Sequence, residues 1–166
     1  MKLLELLTES FDLLRYVWSW LNTGERGITQ KVNHSFLIKL GNLGYKKHGT
    51  IYRSISITKD DFYSNMPNGY WRKYIWGKYK GGYTSFAKTE DGATWFAKAM
   101  SQSGDKMHII IKQTSEYYDI FQLFEDNKDY YKEFMDYDTI RGELEITKEC
   151  VAPLNPNFQI VKMIPE

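Results

Sequence analysis

The stretch Arg141-Gly-Glu-Leu-Glu-Ile146 carries two acids one residue apart. On a β-strand, where side chains alternate from face to face, Glu143 and Glu145 would both point at one partner. That partner would be a cation or the cationic centre of a transition state. The other reading is a pair of solvated carboxylates on an exposed face. Competing chemistries find little support. His34, His48 and His108 share no ligand spacing with one another or with Cys150, so no metal site is expected. Gly81-Gly82 lacks the pattern that follows in phosphate-binding glycine loops. Nothing in the order of residues sets a His beside Cys150 to activate it as a nucleophile.

The elements that must position such a pair are read from periodicity. Leu3, Leu4, Leu7, Phe11, Leu14, Trp18 and Leu21 recur at helical spacing, which predicts an amphipathic helix over 2–22 that Asn22-Thr-Gly24 ends. Residues 27–49 are weakly periodic and read as short pieces joined by turns. Thr50–Ile57 alternates β-branched or aromatic residues with polar ones, a strand signal. A turn at Met66-Pro-Asn-Gly69 and a short central strand at Tyr83–Ala87 follow. Thr89 is a suitable N-cap for a helix whose apolar face is Ala93, Phe96, Ala97 and Met100. Lys106–Lys112 reads as a buried strand, residues 115–139 as an irregular acidic and aromatic loop with a short helix, and Ile140–Thr147 and Phe158–Ile164 as the last strands around a Pro153/Pro156 loop. The expected class is α+β, in a single domain spanning 1–166.

In order along the chain stand Tyr52-Arg53-Ser54, Tyr83-Thr84-Ser85-Phe86-Ala87, Trp95-Phe96-Ala97 and Glu143-x-Glu145. That order resembles the arginine-type mono-ADP-ribosyltransferases, over roughly residues 50–165. In that family an Arg, a Ser-bearing strand and a Glu-x-Glu pair surround NAD. Ser85, Ala93 and Phe96-Ala97 fall where the family has its motif, whereas Phe86 and Ala87 replace a Thr and a second Ser. The resemblance implies an ADP-ribosyltransferase-like fold of two packed, mainly antiparallel sheets with flanking helices; the N-terminal helix in 1–24, read from its periodicity, lies outside the resemblance. It implies a transferase that moves ADP-ribose from NAD to an arginine side chain of a target protein and releases nicotinamide, without a metal. Glu145 would bind the ribose and stabilise the oxocarbenium-like transition state, and Glu143 would orient the acceptor. NAD would be held by Arg53, Ser85, Tyr52, Ser54, Thr84, Phe86 and Phe96, and Tyr137 would stack on the acceptor. A family branch with a His on the first core strand fits less well, because Arg53 occupies that place.

Aromatic residues make up 16% of the chain, an excess that suits ligand surfaces and a sheet-rich core alike. The run Trp71–Lys80 interleaves rings with four basic residues and no acid. Its readings are a solvated amphipathic face, a cover or acceptor surface for the NAD site, and a nucleic-acid-binding module; the N-terminal helix adds an adaptor reading. The net charge of +1 hides an asymmetry: Lys31–Lys88 holds eleven basic residues against Asp60 and Asp61, and Glu116–Glu145 holds ten acids against three basic residues. The two segments would form opposite walls of one cleft or attract each other within the fold. A single Cys excludes an internal disulfide. Glu5, Glu9 and Asp12 interrupt the N-terminal apolar residues, so neither a signal peptide nor a membrane span is expected. The expected setting is cytoplasmic, including a host cytoplasm for a phage-encoded or bacterial effector.

Overall fold

A computed structural model describes residues 3–22, 34–65, 71–101 and 103–166. The expected turns at Asn22–Gly24 and Met66–Gly69 fall wholly or largely outside them. Helix α1 (Leu3–Asn22) and α2 (His34–Asn42) lead into the long strand β1 (Lys46–Thr58). Then come α3 (Lys59–Asn65), α4 (Trp71–Tyr79), β2 (Tyr83–Phe86), α5 (Glu90–Ala99) and the second long strand β3 (Lys106–Asp119). The chain closes with α6 (Ile120–Asp126), α7 (Lys128–Tyr131), α8 (Tyr137–Thr147), β4 (Cys150–Pro153) and β5 (Gln159–Pro165).

The class is α+β, as the mixture of periodicities implied. Among the described residues all strand pairings are antiparallel and belong to one five-stranded sheet, where two packed sheets were expected. The order β1-β3-β4-β2 curls on itself, because Ala87 and Tyr52 exchange backbone hydrogen bonds of 2.7 and 2.8 Å and join the two ends. β5 pairs with β3 beside this path. β2 therefore sits at the end of the order, joined to β4, and reaches β1 through a single bridge.

Alternation decides which face of β1 is buried. Ile51, Ile55 and Ile57 point inward with Ile109 and Ile111 of β3, Phe86, Phe158 and Ile75 of α4. Each such side chain contributes about 1.5–3 kcal/mol on leaving water. Tyr52 and Ser54 lie on the other face. There α5 packs through Ala93 and Ala97 on Ile110, and its Thr89 Oγ1 accepts the Gly92 N–H at 3.0 Å, as the N-cap reading required. A second core joins Leu14, Trp18 and Leu21 of α1 to Phe124, Tyr131 and Leu144, and the Tyr131 hydroxyl donates to the Leu14 carbonyl at 2.8 Å. Helix α1 thus packs on the body of the protein.

Two sequence expectations are corrected. Residues 115–139 are no irregular loop: β3 runs on to Asp119 and α6, α7 and the start of α8 follow. Ile140–Thr147 is the body of helix α8, with Ile140, Leu144 and Thr147 buried along one side. The apolar spacing of three and four overrides the short Glu-Leu-Glu-Ile alternation. Arg141 and Glu145, a helical turn apart, pair at 3.1 Å.

Candidate active site

Helical geometry separates the acid pair. Two positions on a helix differ by about 200°, so Glu143 and Glu145 face nearly opposite ways, not together. Glu145 is 51% exposed and tied to Arg141. Neither acid lines the cleft described next. The acid that does is Glu149, four residues beyond Glu145, at the point where α8 gives way to β4.

This cleft, about 320 Å³ including its open mouth, is framed by β1, β2, α5 and the α8–β4 junction. Its β1 side carries Tyr52, Arg53 and Ser54; its β2 side carries Ser85, Phe86 and Ala87; α5 contributes Ala93 and Phe96. Thr147 and Glu149 complete it. Six of the seven residues expected to hold NAD are therefore brought together. The exception is Thr84, which is buried and does not reach the lining of the cleft.

Arg53 and Glu149 are the charged groups of the cleft, and both are nearly removed from water, 6% and 3% exposed. Arg53 Nη1 donates to the Ser85 carbonyl at 2.6 Å, and the guanidinium lies 5.2 Å from the centre of the Tyr79 ring. Burial pushes the Arg53 pKa below its ordinary value, while the Tyr79 hydroxyl and the Glu149 carboxylate pull it back up. The Ser85 hydroxyl donates to Glu149 Oε1. β2 thus holds both charges through one residue, the guanidinium by its carbonyl and the carboxylate by its hydroxyl.

The backbone explains why Glu149 arrives there. Lys148 takes a left-handed conformation, φ 52°, which ends α8 and turns the chain into β4. The Lys88 N–H donates to the Thr147 carbonyl at 3.0 Å, and the Glu149 carbonyl accepts from Phe121 N at 2.9 Å, so the junction is pinned on two sides. Gly92 sits where a Cβ would lie 2.9 Å from the Ile146 carbonyl oxygen, which lets the first turn of α5 press on the end of α8.

No protein-family model, curated protein or solved structure matches the chain. The reading of the cleft therefore rests on its own geometry.

The remaining expected site residue is placed elsewhere. Tyr137 stacks on Phe124 at 5.5 Å and belongs to the helical core, so it is not a ring of the cleft. Glu149 and Thr147 were missed. The signal for them was the short apolar run Cys150-Val-Ala152 ahead of Pro153, which is β4, with an acid immediately before it. The opposed charge segments meet through Lys46–Glu116 at 3.2 Å and Lys88–Asp119 at 2.5 Å, so they attract each other at these two points in the fold. Burial raises the Cys150 thiol pKa well above its ordinary value, which disfavours a thiolate there. Among the described residues no group of three or more His, Cys, Asp or Glu is arranged to hold a metal ion, and no helix is long and apolar enough to cross a membrane.

Proposed function

We propose that the chain cleaves NAD at its nicotinamide ribose and transfers ADP-ribose, with Glu149 in the role that the family resemblance implied for Glu145. The observation that carries this reading is the buried Ser85–Glu149 hydrogen bond in the same cleft as Arg53. Breaking an N-glycosidic bond builds positive charge on the ribose, and a fixed carboxylate in a desolvated site stabilises that charge without reorganising. Ser85 orients the carboxylate. Arg53, a planar and permanently charged fork, supplies the cation that a dinucleotide's phosphates require. Phe86, Phe96 and Tyr52 supply apolar walls for a flat ring.

In the step itself, the bond from ribose C1′ to the pyridinium nitrogen breaks and its electron pair leaves with nicotinamide. The acceptor's lone pair forms the new bond to C1′, and its proton passes to solvent. The case for an arginine acceptor rested on a second acid beside the first. In the cleft the residue two before Glu149 is Thr147, which has no charge to hold a guanidinium.

The test is nicotinamide release from NAD by the purified chain. Wild type should release it, and Glu149→Gln should lower the rate by about 10²–10³-fold, the usual effect of removing one preorganised electrostatic group. No release by wild type, or an undiminished rate in the variant, overturns the reading.

A further inference from the structure

The curled sheet opens beside the cleft. β3 pairs with β5 as far as Lys112 opposite Gln159, and with β4 again from Tyr118. Gln113, 3% exposed, bridges part of the gap: its Nε2 donates to the Pro153 carbonyl and its Oε1 accepts from Asn155 N, both at 2.9 Å. What remains open is a trough of about 640 Å³ including its mouth. Its surface is made of the hydroxyls of Thr50 and Thr114, 2.8 Å apart, the amides of Asn155, Asn157 and Gln159, and the Lys112 ammonium. Among the described residues, no carboxylate, aromatic ring or aliphatic side chain lines it.

Such a surface gives a peptide no apolar anchor and a cationic ligand no counter-charge. It suits a ligand that is anionic and rich in donors and acceptors, and side-chain amides match the edges of nucleobases in paired hydrogen bonds. Position adds to this. Lys112 of the trough stands directly across the strand pair from Tyr52 of the cleft. The loop bearing Asn155 and Asn157 is fastened to α4, because Arg72 donates to the Pro156 carbonyl at 3.4 Å and to the Phe158 carbonyl, with its guanidinium 4.4 Å over the Phe158 ring. The segment from Trp71 to Lys80 has exposed Lys73, Lys78 and Lys80, half-buried Trp71, Tyr74 and Trp76, and no acid.

We infer that the trough and α4 form an acceptor site for single-stranded nucleic acid. The phosphate chain runs along α4 past the exposed Lys73 and Lys78, and one nucleotide seats in the trough beside the cleft, where phosphate contacts and stacking on the exposed edges of the half-buried rings need no duplex. This rests on the NAD-cleaving reading of the cleft: a nitrogen or oxygen of the seated nucleotide bonds to ribose C1′ as nicotinamide leaves, and its proton goes to solvent.

Fluorescence anisotropy with labelled single-stranded RNA and DNA, each of mixed sequence, tests the site on the full chain. Binding should weaken by about tenfold or more between 50 and 200 mM salt, as expected when several phosphates are neutralised. Lys112→Glu/Asn157→Asp in the trough and Lys73→Glu/Lys78→Glu on α4 should each cost about tenfold or more in affinity, and radiolabel from NAD should pass to the oligonucleotide. Wild-type affinity in the trough variant overturns the proposal. So does a raised KM for NAD in that variant with oligonucleotide affinity retained, because the trough then belongs to the dinucleotide. Nicotinamide release without trough-dependent oligonucleotide binding overturns the acceptor site alone. Oligonucleotide binding without nicotinamide release overturns the cleft reading, and the acceptor role with it.

Discussion

Glu145 and Glu149 lie four residues apart and in different physical worlds. Glu145 stands on the outer side of α8, half exposed, paired with Arg141 one turn away. Glu149 stands two residues past the end of that helix, buried and hydrogen-bonded by Ser85 from a strand far away in sequence. The first environment is made by neighbours in the chain, the second by the fold. An exposed helical ion pair is worth about 0.3–0.5 kcal/mol, whereas a buried, oriented carboxylate can change a transition state by several times that amount.

The widest gap between the two acids should appear when they are neutralised in parallel. Glu143→Gln/Glu145→Gln should melt close to wild type and release nicotinamide within about twofold of its rate, since removing an exposed pair costs so little. Glu149→Gln should be nearly inactive. If the double variant loses activity as Glu149→Gln does, α8 does not keep the two acids apart in function, and the contrast between them fails.

Ser85→Ala makes a narrower cut, because it leaves the Glu149 charge in place and removes its hydrogen bond. A bond to an ionised group is worth about 1.5–3 kcal/mol, so the rate should fall roughly 10- to 100-fold. Measuring kcat and KM separately identifies the cause. A fall in kcat at steady KM fits a residue that positions Glu149; a rise in KM alone would make Ser85 a substrate contact.

The contrast also shows which parts of the molecule could be read in advance. Strands at 50–57, 83–87, 106–112 and 158–164 and the helix after Thr89 were legible, because each carries a local mark of its own: alternation at 50–57, an unbroken apolar run at 106–112, the Gly81-Gly82 turn ahead of the short 83–87, and the Thr89 cap. Tyr52, Arg53, Ser54, Ser85, Phe86 and Phe96 sit on those elements and meet in the cleft, but it was the motif order resembling a known family, and no local period, that singled them out. Residues 137–147 misled because a four-residue alternation lies inside a helix whose buried positions, Ile140, Leu144 and Thr147, span two turns. β4 has four residues and ends at a proline, too short to show a period, so the acid ahead of it had no element to belong to. The curl of the sheet, which brings β2 against β1, depends on pairings between distant segments that no local pattern encodes.

Two backbone positions test whether the junction between the acids sets the site. Gly92→Ala puts a methyl group 2.9 Å from the Ile146 carbonyl oxygen, inside contact distance of a backbone that Lys88 also holds. Overpacking of this kind costs about 1–3 kcal/mol. The melting temperature should drop, and activity at a temperature where the variant is folded should drop too, because moving Thr147 moves Glu149. Lost stability with full activity would show that the α5–α8 contact supports the fold and not the site.

Lys148 gives the smallest and most selective effect. Its left-handed φ of 52° costs a side-chain-bearing residue about 1–2 kcal/mol, and its ammonium lies 4.3 Å from the centre of the Phe121 ring, a contact worth about 0.5–1 kcal/mol at an exposed site. Lys148→Gly relieves the first, forfeits the second and frees the unfolded chain, so its stability should stay within about 1 kcal/mol of wild type and nicotinamide release should persist. Lys148→Val keeps the conformational cost, sharpens it with a β-branched side chain and loses the ring contact. It should melt lower than the glycine variant and work more slowly. Equal behaviour of the two variants by melting and by rate would mean that the turn between the acids is not what delivers Glu149 to the cleft.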